Sequence, residues 1–164
     1  MQKNKLNQNA KKSWLLARAI ATSIVTAILV GIKWFFTYKI GVNFFIEKSF
    51  YINIFIILII GLLILNTFIY PFIEYAQWKY TITKDKIEFS EGIYCVKTTI
   101  IPIIRVQHIK INQGPINKIF KLADIEIFTA GGSHKIPNLD MQKANEIGEY
   151  LKEKIKEKVE KNER

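Results

Sequence analysis

The sequence is poor in the residues from which small proteins build metal and catalytic sites. It contains one cysteine, Cys95, and two histidines, His108 and His134, in 164 residues. A single thiol excludes an internal disulfide framework and any metal site made of several thiolates. The histidines lie in strand-like segments without metal-ligand spacing, so we interpret both as surface or edge-strand residues. We therefore expect no catalytic residue, no cofactor and no metal.

Three further features have simple structural interpretations. Gly131-Gly132 lacks the glycine-lysine pattern of a phosphate loop and predicts a hairpin turn. Cys95 has apolar neighbours on both sides and is predicted to be a small core residue rather than a nucleophile. Asp124 and Glu126 share one face of an alternating strand, which we expect to be the solvated face. These interpretations predict a protein that is not an enzyme.

No charged residue occurs between Phe50 and Ile73. Seventeen of these 24 residues are Phe, Ile, Leu or Val, a run that excludes a disordered chain and a purely soluble domain. As a helix the segment would be about 36 Å long, enough to cross a hydrocarbon layer of ~30 Å. Residues 50–73 are therefore predicted to form a transmembrane helix.

A second apolar segment, residues 14–37, predicts another transmembrane helix. Its charge-free centre is bounded by Arg18 and Lys33, whose long side chains can reach the headgroups. The alternative is a cleaved signal peptide, because a basic start and a short apolar run are typical of one. No small-x-small cleavage site follows the run, and aromatic residues lie at both of its ends. A retained helix is favoured.

The distribution of charge predicts the topology. Only residues 38–49, a short external loop, separate the two helices, which then form an antiparallel hairpin. Residues 1–18 carry five cations and no acid, so the positive-inside rule predicts that the basic N-terminus, residues 1–13, and the C-terminus are cytoplasmic. Residues 74–164 are nearly neutral, with 16 basic and 13 acidic side chains, which argues against nucleic acid as a partner. We expect a multi-pass protein of the cell membrane, with the lipid bilayer as partner.

From residue 76 the pattern becomes that of a small β domain. Segments such as residues 86–89 and 124–129 alternate polar and apolar side chains, and turn signals separate them. Asp140 is a predicted N-cap, and an apolar stripe at spacings of three or four follows it. Residues 76–158 are therefore predicted to form a small antiparallel β-sandwich or barrel capped by a C-terminal amphipathic α-helix. Residues 159–164 are predicted to be a frayed tail.

This arrangement resembles the pleckstrin-homology (PH) plan, and particular residues are similar to the bacterial membrane-flanked PH-like family. The residues that carry the resemblance are Tyr80, Thr83, Gly92, Ile101-Pro102, Arg105-Val106-Gln107, Gln113-Gly114-Pro115-Ile116, Leu122-Ala123 and Ile125-x-Ile127-x-Thr129-Ala130-Gly131-Gly132. Two transmembrane helices directly before the domain also match the short members of the family. Lys121 and Lys118 depart from the pattern, since the family usually has glycine and arginine there.

The resemblance implies an N-terminal two-helix transmembrane hairpin followed by a PH-like domain that acts as a protein-interaction scaffold. It implies as partner a larger membrane protein that carries repeated PH-like domains, and a role in envelope stress or resistance to antimicrobial peptides. Asn53, Asn66 and Thr67 in the second span offer hydrogen bonds to the first helix or to a partner helix, which leaves a homo-oligomer open.

The alternative function is a membrane-anchored module that binds anionic lipid headgroups. PH domains of eukaryotes bind inositol phosphates through a basic loop between early strands. The corresponding stretches here contain basic residues diluted by acids, and Arg105 and Lys118 lie inside the family-like motifs. A local salt bridge of either residue with an acid on the strand after residue 123 is equally compatible with the sequence. The candidate headgroup or partner contacts are Lys84, Lys86, Lys97, Arg105 and Lys118.

Overall fold

The computed structural model describes residues 4–93 and 95–162, with side chains up to residue 157. The chain forms two compact units. One unit comprises residues 14–71, and the other comprises residues 1–13 together with residues 72–164. The segment that precedes the first long helix therefore belongs to the same unit as the C-terminal domain.

Two long apolar helices dominate the unit of residues 14–71. Helix α1 spans Asn9–Trp34 and continues as a π-helical segment, Phe35–Ile40. A short helix α2, Asn43–Glu47, leads to helix α3, Ser49–Gln77. Both long helices have the length and composition to cross a membrane, and almost none of their most apolar windows is buried. These helices are the two candidate spans that the sequence predicts.

Helices α1 and α3 run antiparallel and exchange polar contacts. Thr22 Oγ1 lies 2.8 Å from Thr67 Oγ1. Near the opposite end of the pair, Lys33 Nζ donates to Asn53 Oδ1. The polar residues of the second span thus bind the first helix of the same chain, which gives the predicted hairpin.

The second unit contains two antiparallel sheets. Its strands are β1 (Asn4–Lys5), β2 (Lys79–Ile82), β3 (Lys86–Glu91), β4 (Lys97–Pro102), β5 (Val106–Asn112), β6 (Leu122–Thr129) and β7 (Gly132–Asp140). The first sheet has the order β1-β2-β3-β4 and the second has the order β5-β6-β7. A 3-10 turn, Ile103–Arg105, joins the two sheets, helix α4 (Pro115–Ile119) joins β5 to β6, and helix α5 (Met141–Asn162) follows β7.

The alternating strands place their apolar side chains in one core. Tyr80 and Phe89 from the first sheet and Ile127 from the second are at most 2% exposed. Leu151 of α5 is also fully buried, so the helix covers the strands as the PH plan requires. The carboxylate of Asp140 accepts a hydrogen bond from the amide of Gln142 at 3.0 Å, which confirms the predicted start of α5.

The sequence did not predict that residues 4–13 form part of this domain. Strand β1 pairs with β2 through Asn4–Tyr80 and Lys5–Lys79. Leu6 is 3% exposed, and its carbonyl accepts a hydrogen bond from Tyr75 Oη at 3.1 Å. A two-residue strand made of asparagine and lysine has no propensity signal, and its contacts lie more than 70 positions away.

Two sequence-based interpretations were wrong. Cys95 is exposed and lies in the connection between β3 and β4, not in the core. Asp124 is buried, although it alternates with apolar residues, because residues of α4 and β7 contact its carboxylate. Its carboxylate accepts hydrogen bonds from the Asn138 amide at 2.8 Å and from Asn117 Nδ2 at 3.1 Å, and it pairs with Lys135 Nζ at 2.8 Å.

Candidate functional site

Strand β4 is an edge strand of the first sheet. It pairs only with β3 among the described residues, in a register that runs from Lys97–Glu91 to Pro102–Lys86. On its other side, the backbone N–H and C=O groups that point away from β3 have no neighbouring strand in the described part of the chain. An extended segment of another protein can therefore add to this edge.

Aliphatic side chains are exposed along this edge. Val96 precedes the strand and is 60% exposed, Ile100 lies within it and is 55% exposed, and Ile104 follows it and is 67% exposed. The adjacent Ile101, on the inner face, is 3% exposed, so the alternation of β4 separates a core face from an outer apolar face. We call Val96, Ile100, Ile104 and the open backbone of β4 the β4 edge.

Basic residues lie at both ends of the β4 edge. Lys97 is exposed at the start of the strand, and Arg105 is exposed just beyond its end. The amide of Ile103 donates to the Asp85 carbonyl at 2.9 Å, which ties the turn between β2 and β3 to the turn that holds Arg105. Exposed Lys84 lies in the turn between β2 and β3, at the opposite end of β3 from Glu91, which pairs with Lys97.

The remaining two predicted contacts lie in different surroundings. Lys86 Nζ forms a salt bridge with Glu88 at 2.9 Å, so its charge is already compensated. Lys118 lies in α4, on the connection between the strands of the other sheet, beside Asn117. The structure thus brings Lys84, Lys86 and Arg105 to one end of the first sheet and leaves Lys97 and Lys118 elsewhere.

The acids that could have formed local salt bridges with Arg105 or Lys118 have other neighbours. Asp124 pairs with Lys135, as described above. Glu126 accepts a hydrogen bond from Asn112 Nδ2 at 3.3 Å and lies opposite Lys110 and Lys135 in the sheet. Arg105 and Lys118 are both exposed, which keeps them suitable for contacts with another molecule.

One set of polar residues was missed because its members are distant in sequence. Lys5 lies directly opposite Lys79, Lys79 opposite Ser90, and Ser90 opposite Thr98. These four residues form a row across the first sheet, and we call them the donor row. The lysine at position 79 is visible in the sequence, but nothing local indicates that a second lysine faces it.

No group of three or more His, Cys, Asp or Glu side chains in residues 4–93 and 95–162 could hold a metal ion. A groove of about 520 Å³ between β5 and α5 is lined by Ile109, Ile111, His108 and the exposed pair Glu149–Lys152. His108 is exposed on the edge strand β5, as predicted, and stacks on Phe128 with ring centroids 4.3 Å apart.

Comparison with known proteins gives a consistent result. A family model described as "Bacterial PH domain" matches residues 13–155. The UPF0699 transmembrane protein YdbS of Bacillus subtilis (strain 168) is 26% identical over 151 residues, which are 91% of this chain and 90% of that protein. The UPF0699 transmembrane protein YdbT of the same organism is 30% identical over 83 residues, which are 51% of this chain and 17% of that protein. No solved structure gives a significant match.

Proposed function

The chain belongs to the bacterial PH domain family, and on this premise we propose that it is a non-enzymatic, multi-pass membrane protein whose cytoplasmic PH-like domain is a scaffold for a protein partner. The observation that carries the proposal is the β4 edge. A free edge strand with exposed Val96 and Ile100 is a surface that soluble proteins usually cover or charge. Its exposure here is best explained by a partner that covers it.

The pairing of β1 with β2 supports the proposed topology. Residues 4–13, which include the first residues of α1, pack in the same unit as residues 72–164. Two segments in one folded unit lie on one side of a membrane, so the chain between them must cross it an even number of times. The five cations in residues 1–18 favour the cytoplasm as that side.

The proposed partner is a larger transmembrane protein that contains PH-like domains. The partial match to YdbT, which covers 17% of that protein, supports the occurrence of such segments within longer transmembrane proteins. The β4 edge specifies the chemistry of the contact. An extended segment with aliphatic side chains would pair with β4 and cover Ile100, and acidic residues at its ends would meet Lys97 and Arg105.

Photocrosslinking in the native membrane tests this contact. A photoreactive amino acid at position 100 of the full chain is expected to form an adduct with an extended segment of a transmembrane protein that contains PH-like domains. A second experiment measures how much of that protein co-purifies with the full chain. The double substitution Val96→Lys and Ile100→Lys should reduce this amount at least tenfold. Lysine at position 100 faces Glu88, so the strand itself is expected to stay paired.

The matched control is Ile119→Lys, which also adds a charge at an exposed isoleucine, in α4 rather than on the β4 edge. It should leave co-purification unchanged. Two photocrosslinking results contradict the proposed partner. One is an equally strong adduct from a photoreactive amino acid at position 119, and the other is an adduct of the chain with a second copy of itself.

The resemblance extends the proposal to a physiological role in envelope stress or resistance to antimicrobial peptides. Deletion of the gene is then expected to lower the inhibitory concentration of a cationic peptide. The wild-type chain should restore resistance, whereas the variant with lysine at positions 96 and 100 should not. Full complementation by that variant separates the physiological role from the β4 edge and contradicts this part of the proposal.

A further inference from the structure

Two lysines face each other where the N-terminal strand joins the first sheet. Lys5 in β1 lies directly opposite Lys79 in β2, and both side chains are exposed. Residues that are directly opposite in an antiparallel pair have Cβ atoms about 4.5–5.5 Å apart and project from the same face. Like charges in this arrangement repel each other, so the pair opposes the pairing of a strand that is only two residues long.

The rest of the donor row extends this pair across the sheet. Lys79 lies opposite Ser90, and Ser90 lies opposite Thr98 with 3.0 Å between the two hydroxyl oxygens. Each of the four strands contributes one side chain with a hydrogen-bond donor, and the row contains no acid. Glu88, on the same face of β3, is paired with Lys86. Lys5 and Lys79 are exposed, and their two ammonium groups suit the oxygens of a phosphate, whereas the Ser90 hydroxyl is buried and bonds to Thr98.

The lysines of the donor row are attached closely to the ends of the apolar helices. Lys79 comes two residues after the end of α3, and Lys5 comes four residues before the start of α1. At that end of α3, Lys11 Nζ lies 4.4 Å from the ring centroid of Tyr75. Lysine and tyrosine side chains are typical of the headgroup level of a membrane. Only a few residues of the chain therefore separate Lys5 and Lys79 from the headgroup level, where the lipid phosphates lie.

We propose that the donor row binds the phosphate of an anionic lipid headgroup, and that this phosphate bridges Lys5 and Lys79 and holds β1 on β2. The anion replaces a repulsive pair by two charge-assisted hydrogen bonds. The burial of Leu6 and its hydrogen bond from Tyr75 keep the segment near β2, so the ligand has to supply only the pairing of β1. The two lysines that bind the phosphate lie in β1 and β2, at the opposite side of the sheet from β4.

Hydrogen exchange of the full-length protein in nanodiscs tests the site. The amides of residues 4–8 should exchange about two- to fivefold more slowly in discs with 30% phosphatidylglycerol than in pure phosphatidylcholine, the range that one cross-strand pair supplies. The double variant Lys5→Gln and Lys79→Gln should show no response to phosphatidylglycerol. It should also retain protection in phosphatidylcholine, because the repulsion is gone.

The control variant Lys110→Gln and Lys121→Gln removes two exposed charges from the second sheet and the turn before β6, and it should respond as the wild type does. Exchange in the central strand β6 verifies that each variant is folded. Inorganic phosphate, compared with chloride at equal ionic strength in phosphatidylcholine discs, separates the two sources of the anion. Slowing by free phosphate without slowing by phosphatidylglycerol overturns the lipid assignment.

Two other results overturn the site altogether. One is the absence of slowing with either anion in the wild type. The other is a response to phosphatidylglycerol that persists in the variant lacking Lys5 and Lys79, because such a response does not depend on these two lysines.

Discussion

Ser13 Oγ donates a hydrogen bond to Asn117 Oδ1 at 2.7 Å and thereby joins residues that are 104 positions apart. Asn117 Nδ2 in turn donates to the buried carboxylate of Asp124 on the central strand β6. The segment before the first span is thus connected to the interior of the PH-like domain. A domain cut from the chain after the second span would lack part of its own structure.

The first prediction concerns the anchoring of this segment. Leu6→Ala should lower the stability of the PH-like unit by about 2–3 kcal/mol, because Leu6 is buried and its removal leaves a cavity. Thermal unfolding of the full-length protein, followed by tryptophan fluorescence, measures the effect. Gln8→Ala, at an exposed position of the same segment, is the control and should change stability by less than about 0.5 kcal/mol. Equal unfolding temperatures for the two variants would refute the role of the segment.

The second prediction concerns Gly92, in the connection between β3 and β4. Its φ angle is +135°, and a Cβ atom there would lie 2.0 Å from the carbonyl oxygen of Cys95. Because backbone cannot move aside as a side chain can, Gly92→Ala should cost at least about 2 kcal/mol. Gly131→Ala is the control, since its Cβ would meet only Thr129 Oγ1 at 3.8 Å. Chemical denaturation of both variants in lipid nanodiscs compares their stabilities. Similar denaturation midpoints would contradict the predicted collision at position 92.

The third prediction follows from the family's glycine at the position of Lys121. Lys121 has a φ angle of +54°, a conformation that costs a non-glycine residue about 1–2 kcal/mol. Part of that cost is offset by the greater flexibility of unfolded glycine, so Lys121→Gly should stabilise the domain by about 0.5–1 kcal/mol. Lys118→Gly, inside α4, should instead destabilise it by about 1 kcal/mol. Thermal unfolding measures the change in stability for each substitution. A change of the same sign for both would be inconsistent with this explanation.

The fourth prediction tests the importance of the buried acid. Asp124→Ala should destabilise the domain by about 2–4 kcal/mol, because it leaves the buried Asn138 amide and the Asn117 side chain without their acceptor. Glu126→Ala, two residues along the same strand, removes only one long hydrogen bond, from Asn112, and should cost less than about 1 kcal/mol. Equilibrium unfolding of the two variants measures the difference. Equal losses would show that Asp124 behaves as the surface acid that its alternating sequence suggests.

The elements that local patterns specify were predictable. The charge-free run of residues 50–73 lies within α3, the alternating segments became strands, and the apolar stripe after Asp140 became α5. In each of these segments the side chains that determine the structure are neighbours along the chain, so the periodicity of a single segment contains the information.

The features that the sequence concealed depend on distant contacts. β1 has no periodicity of its own and exists through its pairing with β2 and the burial of Leu6. Asp124 follows the pattern of a solvated residue, but the neighbours that bury it come from β7 and α4. Cys95 has apolar neighbours in sequence and yet lies exposed in a connection. The donor row was equally hidden, because its two lysines come together only when β1 adds to β2.

The topology is the central claim, and accessibility of single cysteines to a membrane-impermeant maleimide tests it most directly. Cys95 is exposed, so its labelling reports the side of the membrane rather than burial. In a Cys95→Ser background, Gln8→Cys and Asn43→Cys place exposed thiols before α1 and between the two spans. We predict that intact cells label the cysteine at position 43, and that Cys95 and the cysteine at position 8 react only after permeabilisation. Labelling of Cys95 from outside intact cells would contradict a cytoplasmic PH-like domain.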